Sequence, residues 1–596
     1  MNRRDSIHRD IDFPFVPSTT DMAGKTVAII GGVAGGASAA ARLRRNDENV
    51  TINMYERGQY VSFANCGLPY YVGGIIKEQS DLFLTNPEEL KRNYNINVFI
   101  NTEVLSFDKN EKTLRVIGPD GERADTYDRL ILSPGAQPII PPFPGRDLPG
   151  IFTIRAVPDT ELVRSWLKNT PDAKTATIVG GGFIGLEMAE NLHTLGFKVT
   201  IIDMADQVMT PMDKEMAIYA EQVLERADID LVLGDGVAGF EPADGKTLLV
   251  RTAHGRAVDA DIVILAIGVR PDNKLAVDAG LAVAKSGCIA VDDHQTTSDA
   301  NVYAVGDVAE KYNVITKTRM PFYMAGPANR QGRVAADAIC GRENRFRGIQ
   351  GTGVCGIMGL QVAMTGLTEK AMVAAGKVKG KDFDAVYLHP LDHVEYYPSS
   401  HHIHMKIVFS VREGKLLGAQ AVGVQGAERR IDVLSMALQM GATVYDLAES
   451  ELCYSPQYGA AKDAVNLAGF YAINTIKGYA HNSYWNPNNP SVFPDDAVLI
   501  DVRERDEVKE SGTVPGATNI PMSEIRTRLD ELSKDKTIHV FCLTGVRGHS
   551  VMRMLVQNGF SAKNISGGYT SYLSCVPKAH SRKALASVLS ISNLNY

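Results

Sequence analysis

The chain has 596 residues, with 62 Lys and Arg against 69 Asp and Glu, and so a formal net charge of −7. At roughly 150 residues per domain, this length predicts about four domains. The slightly acidic balance argues against nucleic acid as a partner, and no apolar run approaches the ~18 residues of a membrane span.

The beginning of the chain and its cysteines indicate where the protein works. Residues 1–24 carry several arginines and no apolar stretch, so we predict an N-terminal extension rather than a signal peptide. The seven cysteines include no Cys-x-x-Cys pair, which argues against a disulfide scaffold or a zinc ribbon. A reducing cytoplasm with one or two reactive thiols fits this usage better.

Two segments about 150 residues apart share one pattern, a short strand, a glycine turn, a helix and a second strand that ends in an acid. This is the order of a βαβ dinucleotide-binding unit. In the first segment the turn runs from Gly31 to Gly36, and Glu56 is the candidate partner for a ribose. The first turn is imperfect, because Val33 stands where the second fingerprint glycine is expected.

The second segment has the strict fingerprint Gly180-x-Gly182-x-x-Gly185. Glycines allow a pyrophosphate to approach the helix N-terminus, where free amides and the helix dipole favour negative charge. Asp203 follows 18 residues after Gly185. A carboxylate there accepts from ribose hydroxyls and repels a 2′-phosphate, so we expect NADH to be preferred, with NADPH possible. The alternative is a tight structural turn without a ligand.

Three further segments, LILSPGAQP, IVILAIGVRPD and SDANVYAVGDVAE, accompany these units. Together they resemble the flavoprotein disulfide reductases that have two dinucleotide-binding domains. The resemblance implies FAD in the first unit, a nicotinamide cofactor in the second, and Asp307 against the flavin. It also implies that Phe183 and Glu187 lie beside the flavin and the nicotinamide, although the usual residue at Phe183 is Tyr.

Cys66 lies in the segment SFANCGLPY, where most of these reductases have a pair of cysteines. The segment resembles the single-cysteine branch, which contains coenzyme A disulfide reductases, NADH oxidases and NADH peroxidases. A single cysteine must cycle as a sulfenic acid or as a mixed disulfide with a small thiol. We expect Cys66 to open a helix whose amides lower its pKa. Ser62 and Asn65 are expected to contact coenzyme A.

Tyr396 and Tyr454 match segments of coenzyme A disulfide reductases in which a tyrosine of the partner subunit reaches the active site. The resemblance therefore implies a homodimer and a phenol that could donate to a leaving thiolate. The alternative is that both tyrosines only pack at an interface. Arg42 and Arg45 end the first helix and could pair with coenzyme A phosphates, or could simply complement the helix dipole.

The last segment, from LIDVRERDEV through VFCLTGVRGHS to NISGGY, resembles a rhodanese. Cys542 to Arg547 would form a loop whose amides, together with Arg547, surround a sulfur anion and hold a persulfide. Leu543 and Thr513 depart from the usual basic residue and histidine, and an apolar mouth suits a thiol or coenzyme A persulfide better than thiosulfate. A catalytically inactive interaction module is the alternative.

The predicted fold class is α/β, with two Rossmann-like domains, an α+β dimerisation domain and a rhodanese-like α/β domain. The histidines at 401, 402 and 404 have no carboxylate or cysteine nearby to complete a set, so we predict an edge strand and no metal. The predicted divisions are an extension at 1–24, an FAD domain at 25–145 and 273–343, a nicotinamide domain at 146–272, a dimerisation domain at 344–480, a linker at 481–496 and a rhodanese domain at 497–585.

These features predict an enzyme in which NADH reduces FAD and FAD reduces a mixed disulfide between Cys66 and coenzyme A. Cys542 would relay sulfane sulfur, and the substrate could be coenzyme A disulfide, coenzyme A persulfide or polysulfide. Coenzyme A could also remain bound as a cofactor. Two alternatives stay open: an NADH oxidase or peroxidase that cycles Cys66 as a sulfenic acid, and a non-catalytic redox-sensing sulfur carrier.

Overall fold

A computed structural model describes residue 22 and residues 24–243, 248–486 and 497–576. Nearly all of the predicted extension at 1–24, most of the predicted linker and the end of the predicted rhodanese domain therefore lie outside the described residues. The described chain forms four five-stranded sheets and several smaller ones.

The first large sheet is parallel and is built around the first glycine turn. Its strands, in spatial order, are Val302–Ala304, Arg129–Leu132, Thr26–Ile30, Thr51–Tyr55 and Ile96–Phe99. Its helices are Ala34–Asn46, Leu68–Val72, Pro87–Tyr94 and Ala325–Ile339, and a small antiparallel sheet comprises Glu103–Asp108, Thr113–Gly118 and Gly121–Thr126. A Cβ on Gly332 would lie 2.3 Å from the Gly35 carbonyl oxygen, so glycine is needed where the first and last of these helices cross.

The second large sheet is also parallel and repeats this plan around the second glycine turn. Its strands, in order, are Asp230–Leu233, Lys198–Asp203, Thr175–Val179, Ile262–Leu265 and Ile151–Phe152. Its helices are Val157–Asn169, Phe183–Thr194 and Lys214–Arg226, with a small antiparallel sheet of Val237–Pro242, Leu248–Thr252 and Ala257–Ala260. The elements that complete these two parts are the paired strands Ala136–Pro138 and Val269–Pro271, the helix Lys274–Asp278, and the paired strands Lys311–Tyr312 and Arg319–Met320.

The third large sheet is antiparallel. Its strands, in order, are Gly353–Ile357, Leu360–Gly366, Leu416–Gly423, His404–Ser410 and Phe383–Leu388, and its helices are Glu369–Ala374, Ala427–Gln439, Val444–Ala448 and Ala464–Ile476. The edge position predicted for the histidine segment is wrong, because the strand that begins at His404 pairs on both sides. His404 is buried, and its Nδ1 lies 2.9 Å from Nδ1 of His389.

The C-terminal domain, residues 482–486 and 497–576, contains the fourth large sheet. Its strands, in order, are Asn482–Ser483, Ala562–Ile565, Ile538–Phe541, Val498–Asp501 and Thr518–Asn519, all parallel. Its helices are Arg505–Ser511, Val546–Gln557 and Gly568–Cys575. Together with the two glycine-turn sheets and the antiparallel third sheet, this confirms the predicted α/β fold class.

The predicted linker at 481–496 is wrong at its beginning. Asn482 and Ser483 form an edge strand of the C-terminal sheet rather than a free connection. Trp485 is buried, and its indole Nε1 donates to the Gly568 carbonyl at 2.7 Å while its ring packs against Phe541. The Asn- and Pro-rich composition hid this strand because a two-residue strand and one tryptophan leave little periodicity in the sequence.

The C-terminal domain is docked on the edge of the third sheet. The Tyr484 hydroxyl donates to the Asp384 carboxylate at 3.0 Å and to the Ala385 carbonyl at 2.8 Å. His389 Nε2 lies 2.9 Å from the Ser571 hydroxyl. Buried polar contacts of this kind depend on geometry, so they fix the domain in one orientation.

Candidate active site

The first glycine turn, Gly31–Gly36, follows a buried strand and leads into the helix Ala34–Asn46. Gly31 has a φ of 96°, and a Cβ on it would lie 2.2 Å from the Ser133 carbonyl oxygen. Glu56 closes the turn, because its carboxylate accepts from the amides of Gly32 and Gly58, both at 2.9 Å. A Cβ on Gly36 would lie 1.9 Å from the Gly31 carbonyl oxygen, so strand and helix approach as closely as a dinucleotide fingerprint requires.

The second glycine turn, Gly180–Gly185, has the same construction. A Cβ on Gly185 would lie 1.9 Å from the Gly180 carbonyl oxygen, whereas a Cβ on Gly182 would meet nothing within 4 Å. Gly182 therefore opens free space at the helix N-terminus, where a pyrophosphate is bound in such units. Asp203 accepts from the amide of Gly181 at 2.6 Å and from that of Ala205 at 2.8 Å, which places a carboxylate beside this space.

Asp307 lies in the short turn Gly306–Val308 at the end of the strand Val302–Ala304. Burial raises the pKa of its carboxyl, and the ammonium group of Lys311 opposes this rise. Within the described part of the chain, no group donates a hydrogen bond to this carboxylate. Asp307 is half-buried, and an acceptor of this kind without a protein donor fits a ligand that brings hydroxyl groups, as the ribityl chain of FAD does.

Cys66 is exposed in the turn Asn65–Gly67, directly before the helix Leu68–Val72. The expected lowering of its pKa is wrong for the protein residues alone. Partial burial raises the pKa of the thiol, and the carboxylates of Glu187 and Asp307 raise it further. The helix has only five residues, so its dipole is small, while the two carboxylates come from distant parts of the chain.

Glu187 lies on the helix Phe183–Thr194, which begins in the second glycine turn, and its carboxylate is close enough to Cys66 to affect the thiol. Burial raises the pKa of Glu187 to about 7, and a hydrogen bond from the Tyr70 hydroxyl opposes this rise. Burial and the carboxylate of Glu187 raise the pKa of Tyr70 to about 12. Phe183, one turn earlier, is half-buried against Gly353, where a Cβ would lie 3.4 Å from the ring.

Tyr396 and Tyr454 are 58 residues apart, yet their hydroxyl oxygens lie 2.9 Å from each other. Both side chains are exposed, at 73% and 46% of their surface. Arg429 is near them and donates to the Tyr458 carbonyl at 2.7 Å. Two large exposed aromatic residues joined at their polar ends suit a surface that another subunit covers.

The residues predicted to contact coenzyme A are not equivalent. Arg45 and Asn65 are exposed, and the Arg45 guanidinium lies 5.9 Å from the centre of the Tyr94 ring. Arg42 is already paired, with its Nε donating to the Asp337 carboxylate at 2.6 Å. Ser62 is only 8% exposed, so its side chain faces the interior. These placements favour Arg45 and Asn65 as ligand contacts over Arg42 and Ser62.

The sulfur loop, Cys542–Arg547, joins the buried strand Ile538–Phe541 to the helix Val546–Gln557. The Cys542 side chain is buried, and its Sγ accepts from the Gly545 amide at 3.2 Å. The two terminal nitrogens of Arg547 donate to the Glu507 carboxylate at 2.6 and 2.7 Å. The Glu507 carboxylate first, and then the nearby Cys542 sulfur, raise the pKa of the Arg547 guanidinium. An amide and a guanidinium at one sulfur are suited to a thiolate or persulfide anion.

Sequence reasoning missed three residues of these sites: Tyr70, Lys311 and Glu507. Tyr70 follows Cys66 by four residues, so helical spacing could have placed it near the cysteine. Lys311 is also only four residues from Asp307, but a lysine at that spacing in a turn is not a recognised signal. Glu507 gave no signal, because it pairs with Arg547, 40 residues away. In the part of the chain that the structure describes, there is no group of three His, Cys, Asp or Glu suited to a metal ion. No helix among the described residues is long and apolar enough to cross a membrane.

Comparison with protein families matches three consecutive parts of the chain. Residues 25–326 match the pyridine nucleotide-disulphide oxidoreductase family, and residues 354–465 match the dimerisation domain of that family. Residues 491–575 match the rhodanese-like domain. The three matches follow the order of the first three sheets and the C-terminal domain.

Two solved structures resemble nearly the whole chain. One is reduced CoADR-RHD from Bacillus anthracis, with 40% identity, a TM-score of 0.89, and coverage of 93% of this chain and 98% of that one. The other is an NAD-dependent persulfide reductase from A. fulgidus, with 34% identity, a TM-score of 0.86, and coverage of 92% and 99%.

Curated relatives match three quarters of the chain. A coenzyme A disulfide reductase of Staphylococcus haemolyticus is 33% identical over 453 residues, which are 75% of this chain and 99% of the relative. An NADH oxidase of Methanocaldococcus jannaschii is 32% identical over 461 residues, which are 75% of this chain and 98% of the relative.

Proposed function

Because the chain belongs to the pyridine nucleotide-disulphide oxidoreductase family, we propose that it is an NADH-dependent reductase of coenzyme A disulfide and coenzyme A persulfide. The observation that carries this proposal is the combination of an exposed cysteine beside Glu187 and Asp307, Cys66, with another cysteine in an anion-binding loop, Cys542. FAD, when bound, accepts a hydride from NADH and passes an electron pair on to sulfur. The glycine turns, Glu56, Asp203 and Asp307 are the groups that would hold the two dinucleotides.

Cys66 performs the sulfur chemistry. Its thiolate attacks one sulfur of coenzyme A disulfide, which forms a mixed disulfide with Cys66 and releases one coenzyme A thiolate. Two electrons, which originate from NADH, then cleave the mixed disulfide and regenerate the Cys66 thiolate with release of the second thiol. In sum, NADH, one proton and coenzyme A disulfide give NAD⁺ and two coenzyme A thiols.

Tyr396 and Tyr454 serve the leaving thiolate. The dimerisation domain supports a homodimer, and the exposed pair of hydroxyls would reach Cys66 of the other subunit. A phenol hydroxyl can donate to the coenzyme A thiolate as it leaves. At the same time its oxygen can accept a hydrogen bond from the hydroxyl of the neighbouring tyrosine. Arg45, at the end of the first helix, would pair with a phosphate of the same ligand.

Cys542 carries sulfane sulfur in the C-terminal domain. A persulfide there would be held by the Gly545 amide and by Arg547, whose charge is oriented by Glu507. Transfer of that outer sulfur to coenzyme A gives coenzyme A persulfide. NADH, one proton and this persulfide then give NAD⁺, coenzyme A and hydrogen sulfide at Cys66. The free cysteines and the need for reduced thiols suit the cytoplasm.

The test is anaerobic oxidation of NADH with coenzyme A disulfide as the only acceptor, compared with oxidation under air without it. We expect turnover with coenzyme A disulfide and two thiols released for each NADH. The relative named NADH oxidase makes oxygen the alternative acceptor, with Cys66 as a sulfenic acid. Fast turnover under air together with none under anaerobic conditions would replace the proposal with that oxidase, while failure of both would favour a non-catalytic sulfur carrier.

A further inference from the structure

Lys311 is a fully buried lysine that none of the steps above uses. It is 0% exposed, and its ammonium group donates to the carbonyl oxygens of Gly306 at 2.6 Å and Ala309 at 2.9 Å. Those carbonyls flank the turn Gly306–Val308, which carries Asp307. The lysine therefore ties the two ends of this turn together.

A charge at this depth is costly, because an ammonium group loses its hydration there. Burial lowers the pKa of Lys311 to about 8, and the negative charge of Asp307 opposes this lowering. Lys311 affects Asp307 in turn. Burial raises the pKa of the Asp307 carboxyl, and the positive charge of Lys311 opposes that rise. If Lys311 served only to fill space, an uncharged methionine would do so at lower cost.

The Asp307 carboxylate still needs hydrogen bonds. Lys311 spends two of its donors on backbone carbonyls, and no group of the described residues donates to the carboxylate. The lysine thus supplies charge without occupying the oxygen atoms. The charge of Lys311 favours the ionised carboxylate, and its oxygen atoms stay free to accept from an incoming hydroxyl group.

We propose that Lys311 is a positioning residue of the flavin site, which fixes the Gly306–Val308 turn and offsets the charge of Asp307 so that its carboxylate can bind a ribityl hydroxyl. This inference rests on the proposed function, because it assigns FAD to the site. Lys311 is expected to affect only the affinity for FAD, because its hydrogen bonds are to the Gly306–Val308 turn and to Ala309.

The experiment is release of FAD from the purified holoenzyme after dilution, followed by flavin fluorescence. Hydrogen bonds and contacts to charged groups are the stronger ones, so we expect Lys311→Met to release FAD about tenfold faster or more. Lys285→Met is the matched control, because Lys285 is exposed, and it should release FAD at the wild-type rate. Lys311→Gln keeps hydrogen-bond donors without the charge, so it should release FAD faster than wild type but more slowly than Lys311→Met.

A double-mutant cycle with Asp307→Asn separates this role from a purely structural one. Without a charge at position 307, the effect of Lys311→Met should fall below about threefold. If a variant is purified without flavin, its affinity is measured by titration with FAD instead. Wild-type release from Lys311→Met, or the same fold-change in both backgrounds, would overturn the inference. A wild-type protein that binds no FAD would refute the proposed function itself.

Discussion

Cys66 is exposed and faces two carboxylates, whereas Cys542 is buried and faces a backbone amide and a guanidinium. Burial and the negative charges of Glu187 and Asp307 disfavour a thiolate at Cys66. The sulfur loop offers an anion its donors before any ligand arrives. The two thiols are thus prepared for different partners by different parts of the fold.

The two thiols therefore depend on different groups for their reactivity. On the proposed function, reactivity at Cys66 would require groups that this single chain does not place at the sulfur, such as bound ligands and the tyrosines of a second subunit. Reactivity at Cys542 requires only the sulfur loop and its Arg547–Glu507 pair. The predictions below test this separation, from the largest expected effect to the smallest.

The largest effect is expected from removal of each thiol. Cys66→Ser should abolish NADH-dependent reduction of every sulfur substrate, because no other exposed thiol among the described residues lies beside Glu187 and Asp307. Cys542→Ser should leave turnover of coenzyme A disulfide within about twofold of wild type and impair only substrates whose sulfur must be relayed. Steady-state rates on coenzyme A disulfide and on polysulfide measure both. Equal loss of coenzyme A disulfide activity in the two variants would show that Cys66 and Cys542 do not have separate roles.

The next effect concerns the sulfur loop. Arg547→Gln should slow sulfur transfer through Cys542 by on the order of tenfold or more, because a charged donor to the sulfur is lost. Coenzyme A disulfide turnover should not change. Arg553→Gln is the control, since Arg553 lies further along the same helix and packs over Tyr479. A thiosulfate or persulfide transfer assay would contradict this assignment if Arg547→Gln and Arg553→Gln behaved alike.

At the first thiol, Tyr454→Phe should lower turnover of coenzyme A disulfide about tenfold, since one donor to the leaving thiolate is lost. Reduction of the flavin by NADH, followed by stopped-flow absorbance, should stay at the wild-type rate. Tyr458→Phe is the matched control, as Tyr458 is also exposed and lies on the same segment. Wild-type turnover in Tyr454→Phe would show that the two tyrosines pack at the interface without donating to the thiolate.

The smallest effect is electrostatic. Glu187→Gln should lower the pKa of Cys66, because it removes a nearby negative charge. Since the pKa of Glu187 is raised to about 7, its charge is present above that pH and lost below it. The variant should therefore alkylate Cys66 a few times faster than wild type above pH 7 and equally fast at lower pH. The measurement is the rate of Cys66 alkylation by iodoacetamide at several pH values, after reduction with NADH. Glu190→Gln is the control, and an equal change of this rate in both variants would refute the prediction.

Local motifs made much of this molecule predictable from sequence. The two glycine turns and the Cys542 loop are set by short segments in which close backbone approach leaves room for glycine alone, as at Gly36 and Gly185. A strand, a turn and a helix in that order then determine the parallel sheets. The fold class followed from such segments, and so did the choice of Cys66 and Cys542 as candidate reactive thiols, which stays a prediction.

Long-range pairs could not be predicted. Arg42 pairs with Asp337, 295 residues away, which no local pattern indicates. The expected pKa of Cys66 was wrong because its short helix is visible in the sequence but its two carboxylates are not. Trp485 likewise gave no sign that the beginning of the linker is docked. In each case the deciding neighbour is far away along the chain.

The central claim is that coenzyme A disulfide reacts at Cys66 and nowhere else. Mass spectrometry tests this claim directly. The native protein is treated with coenzyme A disulfide, and is then denatured and digested without reductant. We predict a coenzyme A adduct on the peptide that contains Cys66, its loss after addition of NADH, and no such adduct on the Cys542 peptide. Only oxygen adducts on Cys66, or a coenzyme A adduct confined to Cys542, would contradict the account.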